Sequence, residues 1–168
     1  MPLYAGMSDG APPTDEVRLI LQRHRRLAVV GLSPRPDRPS HRAMVHMAAN
    51  GYEITPVNPA CDEVMGNACV ASLEEAAALG PLEIVDIFRR AEDIPPIVDE
   101  AIELGAEVIW MQLGLSSPEA AARARDAGLE VVEDRCIKME HCRYFGGLDV
   151  VGLSTGVIGS RRMDRFRP

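Results

Sequence analysis

The chain has 168 residues, with 46% apolar, 26% charged and only 4% aromatic, and a net charge of −7. That length suits one domain with a sizeable, mostly aliphatic core, and the acidic balance argues against a general nucleic-acid binder, which needs a basic surface. No stretch approaches the length of a membrane span, and the opening MPLYAGMSDGAPPTDE has neither the basic nor the apolar region of an export signal, so a soluble cytoplasmic protein is expected.

Residues 1–13 are small and rich in Pro and Gly, and are expected to be loose. Thr14 offers a cap and Asp15 and Glu16 suit a first helical turn; Val17, Ile20, Leu21 and His24 follow at helical spacing. Leu27 to Leu32 is an apolar run that reads as a buried strand. Ser40 is expected to begin the next helix, with Ala43, Met44, Met47 and Ala48 on its apolar face and Asn50-Gly51 at its end. Tyr52 to Val57 reads as a second strand, and Cys61 to Val70 as a crossing loop. Ser72 caps the short helix LEEAAAL, which Gly80-Pro81 stops.

Leu82 to Phe88 reads as a third strand. Asp93 is expected to cap IPPIVDEAIELG, whose prolines fall in the first turn, where a missing N–H does least harm. Val108 to Leu113 reads as a fourth strand, Ser117-Pro118-Glu119 opens a helix, Leu129 to Glu133 reads as a fifth strand, and Cys136 to Phe145 suits a last helix. Five strands alternating with helices imply an α/β fold of three layers, a five-stranded, mainly parallel sheet covered on both faces. The expected division is a loose N-terminus over 1–13, one domain over 14–145 and a Gly-rich tail over 146–168 that could dock on the domain or on a partner subunit.

In such sheets ligands bind beyond the carboxyl ends of the strands. The first of those exits is unusual. A dinucleotide site would carry G-x-G-x-x-G and an acid at the end of the second strand. Here only Gly31 stands in the loop region, which continues Ser-Pro-Arg-Pro-Asp-Arg-Pro-Ser, and the second strand ends Val57-Asn58-Pro59. An anion site remains. A helix start near Ser40 favours phosphate, Ser33 and Ser40 add hydroxyls, and Arg35, Arg38 and Arg42 could grip phosphate oxygens. Ser40 as a plain helix cap with solvated arginines is the competing reading, and the cluster as a whole favours binding.

At the third exit Phe88 is either core or a platform for an adenine, and Arg89 and Arg90 are either a solvated turn or phosphate contacts. At the fourth, Trp110 is expected to be buried and Gln112 could reach a ligand amide. Cys136, with His141 and Glu140 nearby, raises a nucleophilic triad. Five positions separate Cys136 from His141, however, which turns them to different helix faces, so a structural helix start is preferred. Cys61, Cys69, Cys136 and Cys142 form no CxxC pair and are read as reduced thiols; with His24, His41, His46 and His141 scattered, no metal site is expected.

The strings VVGLSPRPDRPSHRAMVHMAANGYEITPVNP, VDIFRRAEDIPPIVDEAIELGAEVIWMQLGL and AGLEVVEDRCIKMEH resemble the stand-alone bacterial and archaeal CoA-binding proteins, which are similar to the N-terminal CoA-binding domain of the succinyl-CoA synthetase alpha subunit. The resemblance runs from about Thr14 to Phe145. It implies a Rossmann-like fold that binds coenzyme A, with phosphates at Ser33, Pro34, Arg38 and Ser40 beside Gly31. It further implies the adenosine 3′-phosphate or ribose near Asn58 and Pro59, and the adenine and pantetheine arm near Phe88, Arg89, Arg90 and Gln112. The chain is too short for the synthetase's phosphohistidine domain, so ligase activity is not implied.

The sequence therefore points to a binder of CoA or an acyl-CoA without evident catalytic machinery, which could serve a partner enzyme and could form a homodimer. An NAD(P)-binding sensor or reductase, an enzyme using Cys136 on a thioester, and a non-catalytic subunit with a vestigial pocket stand as alternatives.

Overall fold

The computed structural model describes residues 14–146; the expected loose N-terminus (1–13) and nearly all of the expected tail lie outside the described residues. Helix α1 (Thr14–Arg23) leads into β1 (Arg26–Val30), followed by α2 (Pro39–Ala49) and β2 (Glu53–Val57). A small antiparallel hairpin, β3 (Glu63–Val64) and β4 (Asn67–Ala68), precedes α3 (Leu73–Leu79). The remainder alternates: β5 (Ile84–Ile87), α4 (Ile94–Glu103), β6 (Val108–Met111), α5 (Pro118–Asp126), β7 (Glu130–Val132) and α6 (Ile137–Phe145).

The five long strands form one parallel sheet in the order β2-β1-β5-β6-β7. Val70 bridges Val57 in parallel beyond β2, a one-residue trace of a further edge strand. With that trace included, the order is the one found in dinucleotide-binding folds, and it reverses between β1 and β5. The expected three-layer, Rossmann-like α/β architecture is the one observed.

Side chains alternate across the sheet, as strand geometry requires. Ala28, Val30, Val85, Ile87, Ile109, Met111 and Val131 pack against Leu73 and Ala76 of α3, Val98 and Ala101 of α4, and the alanines of α5. Leu27, Val29, Ile84, Val108, Trp110 and Val132 pack on the other face against Val17, Ile20 and Leu21 of α1, Ala43, Met44 and Met47 of α2, and Ile137 of α6. Trp110 is fully buried, as expected, and its indole N–H donates to the carbonyl of Arg135 at 2.7 Å.

Three local differences have physical causes. Helix α2 begins at Pro39, one residue before Ser40, because proline's fixed φ suits a first helical position. Asp93 holds the N-cap position of α4 as expected but makes no side-chain capping bond; a 3-10 turn over Ala91–Asp93 precedes the helix, and the Asp93 carboxylate accepts from Arg90 Nε at 3.3 Å instead. The stretch 61–70 contains the hairpin, turned by Met65 and Gly66, both at positive φ (55° and 77°). Two positive φ values fit a tight hairpin turn, but methionine at the first of them is not a turn signal. Ser72 does cap α3, its hydroxyl accepting from Glu75 N at 3.2 Å.

Candidate ligand-binding site

The strand exits converge where the sheet order reverses. Gly31 follows β1, Phe88 follows β5, Gln112, Leu113 and Leu115 follow β6, and Cys136 follows β7. Together with Ser33, Arg38, Pro39, Ser40 and Ala43 they line a cavity of 710 Å³ at the carboxyl edge of the sheet. That volume suits a cofactor-sized ligand.

The entry to α2 forms one wall. No side chain caps this helix, so its first N–H groups lack intrahelical partners, the usual basis of a phosphate site. Ser40 is buried, and its Oγ accepts from Ser33 N at 3.1 Å, which folds the loop back onto the helix. His41 Nδ1 lies 3.0 Å from the Ser33 carbonyl. The loop is braced from below by Asn58, whose Nδ2 donates to Leu32 O at 3.0 Å while its Oδ1 accepts from Ala60 N at 2.9 Å.

Gly31 is needed for two reasons. It sits at φ 87°, and a Cβ there would stand 2.4 Å from the Phe88 carbonyl oxygen and 3.2 Å from Arg89 Cδ. The close approach of the β1 and β5 exits at the switch point thus depends on the missing side chain.

The arginines divide sharply. Arg35 is tied to Asp37 at 3.0 Å, Arg42 donates to the Asp37 carbonyl at 2.8 Å, and Arg90 is paired with Glu92 at 3.1 Å and Asp93 at 3.3 Å. Arg38 and Arg89, both exposed, have no ion pair or hydrogen bond from their side chains to the described residues. Arg38 lines the cavity and the stem of Arg89 passes over Gly31. One uncommitted cation therefore lines the cavity and the other stands beside its Gly31 edge. Pro34, Asn58, Pro59, Arg89 and Arg90 are not among the cavity-lining residues; Asn58 supports the loop instead.

Behind the cavity Gln112 meets a residue that the sequence reading did not single out, Asp86. Gln112 is 5% exposed; its Nε2 donates to Asp86 Oδ1 at 2.6 Å and its Oε1 accepts from Ile137 N at 3.2 Å. This links the β6 exit to the start of α6. Asp86 is fully buried and its Oδ2 has no hydrogen-bond partner among the described residues. Burial pushes its carboxyl up to about 7 against the opposing hydrogen bond from Gln112. An aspartate in a strand otherwise made of Ile and Val was the available signal.

Cys136 is the N-cap residue of α6 and lines the main cavity, whereas His141 lines a separate cavity of 140 Å³ with Arg25, Asn50 and Phe145. The fold brings together two histidines that look scattered in sequence: His46 Nε2 lies 3.0 Å from His141 Nδ1, and 3.6 Å from Cys142 Sγ. Burial, and then the charge of Lys138, lower the pKa of His46. No group of three or more potential metal ligands forms among the described residues. Nor does any helix among them have the length and apolarity to cross a membrane.

An uncapped helix start and two uncommitted arginines stand at or beside a large cavity at the switch point of this α/β domain, groups whose chemistry suits an anionic ligand. Residues 25–142 match the CoA binding domain family, and the chain belongs to that family. YneT, an uncharacterized protein of Bacillus subtilis (strain 168), is 47% identical over 130 residues, covering 77% of this chain and 95% of that one. Among solved structures, a hypothetical protein from Pyrococcus horikoshii OT3 is 35% identical with a TM-score of 0.76, over 83% of this chain and 100% of that one. A protein from Thermus thermophilus is 33% identical with a TM-score of 0.73, over 80% of this chain and 100% of that one.

Proposed function

We propose that this protein binds coenzyme A, free or acylated, in the cavity at the carboxyl edge of the sheet, and that it does so as a binding protein. The observation that carries the reading is the uncapped start of α2 opening on a 710 Å³ cavity. Membership of the CoA binding domain family supplies the ligand class.

The donor set fits that ligand. CoA carries a pyrophosphate and a ribose 3′-phosphate, so it needs several separated cationic or N–H contacts. In this reading the α2 N–H groups, Ser33 and Ser40 hold the pyrophosphate, with Pro34 keeping the loop open. Arg38 supplies charge from the cavity wall and Arg89 from beside Gly31, and Arg90 can join them only by leaving its acidic partners. Phe88, half-buried on the cavity wall, offers an apolar surface to the adenine or the pantetheine arm. Gln112 can offer its second Nε2 hydrogen to an amide of that arm while keeping its bond to Asp86. Asn58 acts by holding the loop in place, with Pro59 next to it in the chain.

Thermal unfolding with CoA, dephospho-CoA, acetyl-CoA, NAD and NADP at equal concentration tests the reading. A ligand that binds only the native state stabilises it by ~2.7 kcal/mol at a hundredfold excess over Kd. The expected result is a rise in Tm with CoA that shrinks with dephospho-CoA. A rise with NAD or NADP alone would replace this reading with a dinucleotide site.

A further inference from the structure

The hairpin beside the loop carries a second feature. Cys61 and Cys69 are eight positions apart, yet their Sγ atoms lie 3.0 Å from one another. Three backbone hydrogen bonds hold them there. Cys69 N donates to Asp62 O at 2.8 Å, and on the next residue Val70 N donates to Pro56 O and Asn58 N to Val70 O, both at 2.9 Å. Neither thiol is sealed in the core: both cysteines are partly exposed and pack against the edge of the cluster that holds Val64. Met65 and Gly66 close the turn that brings them together.

The geometry points to a thiol–disulfide exchange site formed by Cys61 and Cys69, with a low-molecular-weight disulfide as its substrate. The Cys61 thiolate attacks one sulfur of the small disulfide, forming a mixed disulfide and releasing one small thiolate. The Cys69 sulfur, after losing its proton, attacks the Cys61 sulfur, closing the protein disulfide and releasing the second small thiolate. Two electrons pass from the two cysteines to the small disulfide, and the two cysteine protons end on the two small thiols. The reverse sequence restores the dithiol.

The two sulfurs have different roles. The Cys69 thiol is held well above the ordinary thiol range by its burial, then by its hydrogen bond to Cys61, and by Asp62 and Glu63 beside it. Ionisation at Cys69 is therefore disfavoured while the 3.0 Å contact lets either sulfur donate to the other, which suits attack by Cys61 followed by resolution at Cys69. Oxidation would brace the hairpin next to Asn58, whose amide holds Leu32 in the loop ahead of α2.

The sequence provides a clean test, independent of the coenzyme reading because the probe is glutathione. Between Arg42 and Arg89 there is no Lys or Arg, so one tryptic peptide, residues 43–89, carries Cys61 and Cys69 and no other cysteine. Cys136 and Cys142 fall on two other peptides, because Lys138 stands between them. The full chain is equilibrated with reduced and oxidised glutathione over a range of ratios, alkylated and mapped by mass spectrometry. The expected result is a 43–89 peptide two hydrogens lighter and unalkylated as the ratio turns oxidising. A Cys69→Ser chain should instead accumulate one glutathionyl group on Cys61. Two results would overturn the proposal: both thiols remaining alkylatable at every ratio, or a crosslink forming equally well in denaturant, where the fold no longer pairs them.

Discussion

Arg38 and Arg89 are the residues on which the account depends most. Five arginines stand on or near the loops, and three already have acidic or carbonyl partners. A partnered cation gains little from a phosphate, whereas an uncommitted one gains a charge-assisted hydrogen bond worth ~1.5–3 kcal/mol. Replacing either Arg38 or Arg89 with Ala should therefore weaken CoA binding about ten- to hundredfold by calorimetry, with Tm nearly unchanged in the absence of ligand. Arg35→Ala should change affinity far less; equal losses at Arg35 and Arg38 would contradict this division. Asp86 makes a different prediction. Its ordinary value is 3.8 and the fold raises it to about 7. Across that window the folded chain holds a proton that the unfolded chain has released, so stability falls as pH rises through it and levels off above. The loss is on the order of a few kcal/mol, at about 1.4 kcal/mol per pKa unit. Asp86→Asn removes the titrating group, so its unfolding free energy, measured by denaturant titration on either side of the window, should vary less with pH than that of the parent chain. Parallel pH dependences would show that Asp86 ionises freely.

The elements explain which parts of the site could be read in advance. Each helix and each long strand is present, because apolar runs and helical spacing specify them locally. The strand ends were less legible. Leu32, Phe88, Leu113 and Glu133 carry strand-like or apolar sequence, yet the paired strands stop at Val30, Ile87, Met111 and Val132. The ladders end there because the chain after each strand turns to its helix on one or the other face of the sheet, and which face it takes is set by the whole topology rather than by any single stretch. The same applies to the partnering of the arginines and to the approach of Cys61 to Cys69. Gly31 is the position where sequence and packing meet. Its φ of 87° and the 2.4 Å that would separate a Cβ from Phe88 O predict that Gly31→Ala displaces the β5 exit. The variant should lose at least ~1 kcal/mol of stability, the usual scale of backbone strain, and should bind CoA more weakly. A variant with unchanged Tm and affinity would show that the two exits can separate freely.

At the scale of the whole molecule, an acidic chain presents a local cationic opening. The net charge of −7 excludes neither phosphate nor nucleotide, because field strength in a cleft depends on the groups that line it. The fold places those groups by topology: where the sheet order reverses, the chain leaves β1 for α2 on one face of the sheet and β5 for α4 on the other, and α2 starts at the edge of the cavity. The smaller cavity near His141 has Arg25 at its edge and offers the contrasting location for an anion. The central claim is that CoA occupies the first of these. The most direct test is to titrate the isotopically labelled chain with CoA and follow backbone amide resonances by NMR. The account predicts saturable shifts at Gly31, Ser33, Ser40, Phe88 and Gln112, with Asn50 and His141 unmoved. Shifts confined to Asn50, His141 and their neighbours, or no saturable shift at all, would contradict it.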